Sequence, residues 1–127
     1  MILVEGSVPG VRQVFLDGRA HPADPSPTWL GHSIGTWDHD TLVVDSIGFN
    51  DKGWLDVNGR PQTERLHIIE RYHRRELGHL DVEITIDDPG AYTRSWKIRR
   101  SLQLAPNEEI QEYICNENHR TEHFRPN

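Results

Sequence analysis

Hydrophobic and polar residues alternate strictly from Leu80 to Ile86 and nearly so from Leu66 to Arg74. A period of two residues is typical of a β-strand that buries one face. The same signal recurs at short intervals along the chain, between clusters of turn-forming residues, and it predicts an antiparallel all-β protein of about eight strands. The predicted strands lie near residues 11–16, 33–37, 42–47, 66–74, 80–86, 95–104 and 110–115.

The two most regular strands are predicted to form a hairpin. Residues 76–78, Glu-Leu-Gly, suit a three-residue loop that ends in a glycine with positive φ. Such a loop places His67 opposite Asp87 and Arg74 opposite Leu80. One face of this hairpin is then apolar and the other carries opposite charges in facing pairs, an arrangement that cross-strand pairing favours.

The number of strands predicts one domain, residues 1–127, folded as an antiparallel β-barrel or jelly roll of the cupin-like or lipocalin-like kind. Residues 21–27 hold three prolines and are expected to form a stiff surface connection. Residues 108–115 also fit one short helix, because Ile110 and Ile114 are spaced for one helical face. A polar C-terminal tail is expected from about residue 119.

Charge and composition exclude several functions. The net charge of −6 and the pI near 5.7 argue against a nucleic-acid partner, which requires a basic surface. No apolar run is long enough to cross a membrane. The single cysteine, Cys115, excludes an intrachain disulfide and leaves the compartment open. We expect a secreted or periplasmic protein if a signal segment was removed, and a cytoplasmic one otherwise.

Several charged residues share a strand row with apolar residues and are therefore predicted to face the interior. These are Asp45, in a row with Val43, Ile47 and Phe49, together with Glu70, Arg100 and Glu112. A buried charge is costly unless a partner compensates it, and such groups often mark functional sites. Glu70 and Glu112 are the candidate catalytic carboxylates. A structural ion pair of either one with Arg100 is the alternative.

Eight histidines are a high count for 127 residues and suggest a metal site. His67 is the best candidate ligand, since Glu64 precedes it and Asp87 is predicted to lie opposite. His32, which shares a row with Ile34, is a possible second ligand, and Glu64 a third. Imidazole ligands with a carboxylate partner and an open position favour copper or zinc over calcium. A surface His67 paired with Asp87 is the alternative.

Three motifs carry a resemblance to known proteins: residues 29–45, WLGHSIGTWDHDTLVVD; residues 66–71, LHIIER; and residues 112–118, EYICNEN. In this order they resemble a large uncharacterised family of bacterial β-proteins, often secreted, over residues 11–118. That resemblance directs attention to the motif residues His67, Glu70, Glu112 and Glu117. More weakly, the chain is similar to cupin-like copper enzymes that cleave cellulose oxidatively, although it lacks the His-x-His pattern of common cupins.

The leading hypothesis is a copper-dependent oxidoreductase that acts on a polysaccharide such as cellulose, with zinc or no metal as the alternatives for the cofactor. Trp29 and Trp54 are expected to stack on sugar rings, although core or lid packing also suits Trp29. The rival hypothesis is a metal-free β-barrel that binds a small apolar molecule. An open edge strand would favour a homodimer.

Overall fold

The computed structural model describes residues 2–4 and 10–109, and every regular element in these ranges is a β-strand. These residues fall into two compact units. In the smaller unit, β1 (Ile2–Val4) pairs antiparallel with β2 (Gly10–Arg12). Among the described residues there is no helix with the length and apolar character needed to cross a membrane.

The larger unit, residues 13–104, is built on one six-stranded sheet whose strands follow each other in chain order. All neighbours are antiparallel except the first two, which are parallel. The all-β prediction is therefore confirmed. Among the described residues the sheet does not close into a barrel, so the predicted barrel or jelly roll is not confirmed. Its strands are β3 (Val14–Phe15), β4 (His32–Asp38), β5 (Thr41–Ile47), β6 (His67–Glu76), β7 (His79–Asp87) and β8 (Trp96–Gln103).

The strands predicted between residues 33 and 104 are confirmed to within three residues at each end. The segment 11–16 was predicted as one strand but divides into the end of β2 and the short β3, with Gln13 between them. The last predicted strand, residues 110–115, and most of the alternative helix lie outside the described residues.

The hairpin of β6 and β7 has the predicted register over most of its length. His67 pairs with Asp87, and the matching continues to His73 opposite Asp81. The predicted pairing of Arg74 with Leu80 is wrong. The register shifts between His73 and Glu76, so one extra residue of β6 is accommodated as a bulge. The connecting turn is therefore Leu77–Gly78, and Gly78 does not adopt the positive φ that was predicted.

The two faces of the sheet differ in character. The face that carries Val44, Val82 and Ile86, here called the core face, is covered by residues of the long loop between β5 and β6. Burial of these side chains provides the main hydrophobic stabilisation of the unit. The core cluster consists of Phe49, Leu66 and Ile86, with Leu55, Ile68, Ile84, Trp96 and Ile98 packed against it.

Asp45 lies on the opposite face from the one predicted. Pairing within the sheet turns Val44 and Ser46 towards the core face, where both are fully buried. The hydroxyl of Ser46 is satisfied there by a 2.8 Å hydrogen bond with Ser33. The prediction failed because β5 is apolar on both sides of Asp45, so alternation alone could not decide which row faced the interior. Asp45, with His32 and His67, defines the second face, here called the histidine face.

Candidate functional site

Four polar side chains meet on the histidine face and form a continuous hydrogen-bonded chain. The Nδ1 atoms of His21 and His32 are 2.9 Å apart, and Nε2 of His21 is 3.1 Å from Oδ1 of Asp45. The same carboxylate oxygen is 2.8 Å from Nε2 of His67. The order of the chain is therefore His32, His21, Asp45 and His67, and we call these residues the histidine cluster.

The sheet brings three of these residues together because they lie on adjacent strands. His32 begins β4, Asp45 lies near the end of β5, and His67 begins β6. The antiparallel pairing of these strands puts the start of β4 and the start of β6 on either side of the end of β5. Asp45 thus occupies the middle strand, between the two histidines.

His21 reaches the cluster from the proline-rich segment, residues 21–27. Pro25 of this segment lies against Gly48, where an added Cβ would be only 3.0 Å from the proline ring. Three prolines limit the backbone freedom of the segment, so holding His21 in place costs less conformational entropy than a flexible loop would lose. The predicted stiff connection therefore positions a functional side chain.

The entry of the chain into β4 also depends on a glycine. Gly31 precedes His32 and has a φ of +66°, a conformation that side-chain-bearing residues rarely adopt. A Cβ at Gly31 would lie 2.6 Å from the carbonyl oxygen of Ile47. Glycine is required here because the backbones of the two strands approach too closely for any side chain.

A stack of side chains encloses the ring of His32. Phe15 stacks on His32 with ring centroids 5.2 Å apart. The guanidinium of Arg19 in turn lies over the ring of Phe15, 3.9 Å from its centroid. Burial lowers the pKa of His32, and the positive potentials of His21 and Arg19 lower it further. The imidazole is consequently neutral at pH 7, which is the form that ligates metals or passes protons.

The hydrogen bonds determine which nitrogen of each ring carries the proton. The carboxylate of Asp45 can only accept, so His21 and His67 donate to it through Nε2–H. The Nδ1 atom of His21 faces Nδ1 of His32. Two kinds of arrangement satisfy this pair: one ring donates a proton to the other, or both nitrogens bind one metal ion.

The spacing of the two nitrogens fits a metal ion as well as it fits a hydrogen bond. Metal–nitrogen bonds of about 2.0 Å at a right angle, as in tetragonal Cu(II), separate two ligand nitrogens by roughly 2.9 Å. The carboxylate of Asp45 behind His21 is the usual outer partner of a metal-binding imidazole. In the described part of the chain no group of three or more His, Cys, Asp or Glu residues is arranged to hold a metal ion. A metal site at the His21–His32 pair would need ligands beyond these two side chains.

Of the three residues predicted as metal ligands, the structure brings two into one cluster. His32 and His67 are connected through Asp45 and His21. His67 lies opposite Asp87 in the register, as predicted, but its described hydrogen bond is to Asp45. Glu64 is exposed and lines, together with His67, a neighbouring cavity of about 370 Å³.

The predicted catalytic carboxylates are not part of the histidine cluster. Glu70 is buried as predicted, with 8% of its surface exposed, but it lies on the core face. Its carboxylate accepts a 2.9 Å hydrogen bond from the hydroxyl of Tyr72. Arg100 is exposed, and the described residues contain no ion pair between it and Glu70. Glu112 and Glu117 lie outside the described residues.

The two tryptophans predicted to contact substrate are both exposed, Trp29 by 60% and Trp54 by 69%. They flank Gly53, and the indole of Trp29 lies 3.6 Å from the position of a Cβ at that glycine. Core packing of Trp29 is therefore excluded by its exposure. No described contact joins either tryptophan to the histidine cluster.

Sequence reasoning missed His21, although this residue links the two halves of the cluster. It lies in a segment without periodicity, directly before Pro22, and nothing in its neighbours indicates a strand or a ligand pattern. Its role follows only from the path of the chain over the histidine face.

Comparison of the chain with known protein families, with curated proteins and with solved structures finds no match. The resemblance drawn from the motifs and the weaker one drawn from size, fold class and histidine content therefore stay predictions. The chemistry of the site is argued below from its own residues.

Proposed function

We propose that this protein is a copper-dependent oxidoreductase that acts on a carbohydrate polymer, with the metal held by His21 and His32. The observation that carries the proposal is the 2.9 Å approach of two imidazole Nδ1 atoms, one of them backed by a carboxylate. This assignment changes the predicted ligand set: His32 remains a ligand, His21 replaces His67, and Glu64 has no role in holding the ion.

Each member of the cluster has a distinct task in this proposal. His21 and His32 supply two neutral nitrogen donors, the ligand type that suits copper and, second to it, zinc. Asp45 fixes the tautomer and the orientation of His21. His67 donates to the same carboxylate and so holds Asp45 in place. A bound copper ion would supply one-electron chemistry at its remaining open positions.

Support for a carbohydrate substrate comes from the exposed indoles of Trp29 and Trp54. Flat aromatic rings on a polar surface are suited to stacking on the apolar faces of sugar rings. A secreted or periplasmic location would give access to such a polymer. The proposal uses one face of the sheet, so it does not depend on whether the whole chain closes into a barrel or jelly roll, or on a homodimer.

The rival function, a metal-free barrel that binds a small apolar molecule, has less support. Apolar ligands favour enclosed cavities lined by hydrophobic side chains. A described cavity of about 450 Å³ is instead open and lined mainly by charged and hydroxyl side chains such as Arg71, Glu83 and Arg99.

A calorimetric titration of the metal-free protein with Cu(II) tests the metal site, and His32→Ala is the variant. We expect one tight site in the parent protein and its loss in the variant. His39→Ala is the matched control, because that side chain is 94% exposed and bonded only to its neighbour Asp38. Equal binding by the parent and His32→Ala would refute the assignment.

Activity is tested separately by incubating the copper-loaded protein with cellulose, a reductant and dioxygen or peroxide. We expect oxidised oligosaccharides in the soluble fraction, detected by mass spectrometry, and none with His32→Ala. Tight copper binding without any oxidised product from cellulose, xylan or chitin would support the metal site but refute the polysaccharide substrate.

A further inference from the structure

One cavity of the described residues is an open groove of about 450 Å³ that the metal proposal does not use. Strand pairing places most of its lining residues on the histidine face, at the end of the sheet away from the cluster. Its polar lining comes mainly from Arg71, His73, Asp81, Glu83, Arg99 and Ser101.

The groove and the histidine cluster are joined by two strands. On β5 the same face runs from Thr41 in the groove to Asp45 in the cluster. On β6 it runs from His73 in the groove to His67. Four residues of strand span about 13 Å and six about 20 Å, so the two features are within reach of one extended ligand.

Most charged side chains of the groove belong to described ion pairs, whereas no described ion pair involves Arg100. Glu83 accepts a 2.7 Å bond from Lys97 and a 2.8 Å bond from Arg99, and these bonds keep its pKa below the usual range. Arg71 donates to Asp38 across 2.7 Å. At Arg71 and Arg99 a small anion would have to compete with these carboxylates, so these two side chains favour a neutral ligand.

Hydrogen-bonding capacity nevertheless remains on the solvent side. Within the described residues Arg99 is bonded through Nε and Arg71 through one Nη, and a guanidinium carries further N–H donors. The side chain of Arg99 is 81% exposed. Planar groups held in place by ion pairs lose little further freedom when they bind a ligand.

We infer that this groove is a binding subsite for a neutral carbohydrate chain, whose hydroxyl groups bond to Arg71, Arg99 and Ser101 while the chain extends towards the histidine cluster. The inference rests on the proposed function, because it assigns the path of that substrate. It also assigns the main polar contacts of the substrate to residues other than Trp29 and Trp54.

Amide chemical shifts of the full-length, metal-free protein test this subsite. The probes are three neutral hexasaccharides, from cellulose, xylan and chitin. At least one is expected to shift the amides of residues 71, 99 and 101. Arg99→Ala should weaken binding about fivefold or more, the effect of losing one or two bonds to a charged group. The control, Arg94→Ala, removes the same charge from the loop before β8 and should leave affinity unchanged.

Three results would overturn the subsite: no binding of any hexasaccharide, shifts confined to residues 29 and 54, or equal weakening by both arginine variants. Shifts with inorganic phosphate and with no sugar would identify an anion site and also overturn it. These titrations contain no metal, so their result does not depend on whether the copper site exists. Copper binding without sugar binding refutes this inference alone, and sugar binding without copper binding refutes the oxidoreductase alone.

Discussion

The ring nitrogens of His21 and His32 lie 2.9 Å apart, although one residue comes from an irregular proline-rich segment and the other from a strand. Two neutral imidazoles at this distance require either a shared proton or a shared metal ion. Asp45 selects the tautomer of His21 that makes both arrangements possible. This relationship connects the fold to the proposed chemistry.

The carboxylate of Asp45 is expected to raise metal affinity without touching the ion. Asp45→Asn keeps the shape of the side chain but removes the charge that holds His21 and His67. We expect Cu(II) affinity to fall about 10- to 100-fold, the usual effect of losing such an outer partner. Calorimetric titration measures this change. Asp40→Asn, on the exposed turn between β4 and β5, is the control, and equal losses in both variants would contradict the role of Asp45.

Gly31 should be intolerant of a side chain for two separate reasons. Gly31→Ala puts a Cβ on a residue with positive φ, which costs about 1 kcal/mol, and also pushes it against the carbonyl of Ile47. Gly18 has a similar φ of +77° but open space around it. Gly18→Ala therefore measures the first effect alone. In urea unfolding, the free energy of unfolding should fall by at least about 1 kcal/mol more in Gly31→Ala than in Gly18→Ala. Similar decreases in the two variants would show that the close approach to Ile47 does not matter.

Asp88 should make stability depend on pH in the acid range. Burial tends to raise its pKa, but hydrogen bonds from Thr63 and from the backbone of Gly90 and Ala91 together lower it. A lowered pKa in the folded state gives stability that is fully present above the unfolded value of about 4 and is lost as the pH falls below it. Asp88→Asn should remove this part of the pH dependence.

Urea unfolding between about pH 2 and pH 6 measures the effect of Asp88. Near pH 6 the Asp88→Asn variant should be about 1 to 3 kcal/mol less stable than the parent, and the difference should shrink at the acid end. Asp87→Asn, at the exposed residue beside it, is the control. A difference that stays constant over the whole range would contradict the assigned ionisation.

The hydroxyl of Tyr72 is expected to contribute to stability through the buried carboxylate of Glu70. Tyr72→Phe removes the donor of a 2.9 Å hydrogen bond to a buried carboxylate and should cost about 1 to 3 kcal/mol in urea unfolding. Tyr92→Phe is a matched control, because Tyr92 donates to the carbonyl of Pro61 in an exposed position. Equal decreases in the free energy of unfolding for the two variants would show that burial of Glu70 does not strengthen this hydrogen bond.

The sequence predicted the strands well where hydrophobic alternation was strong. The β6–β7 register follows from the apolar row that includes Val82 and Ile86, since any slip would have buried charged residues. Alternation failed on β5, where apolar residues occupy both rows, and Asp45 was consequently assigned to the wrong face. The bulge before Glu76 adds one residue to β6, and no local sequence pattern predicts it.

The candidate site was predicted only in part, for a physical reason. His32 and His67 begin strands whose positions could be read from periodicity, so both were identified. Asp45 was identified as unusual but was placed in the core. His21 depends on how an irregular segment crosses the sheet, and such a path is determined by tertiary contacts such as that of Pro25 with Gly48.

The central claim is that His21 and His32 bind one metal ion, and electron paramagnetic resonance of the Cu(II)-loaded protein tests it most directly. Couplings to two imidazole nitrogens are expected in the parent, and both His21→Ala and His32→Ala should lose this two-nitrogen spectrum, while His67→Ala should retain it and bind copper less tightly. Absence of a bound Cu(II) spectrum in the parent would contradict the account. So would two nitrogen couplings that persist in His21→Ala.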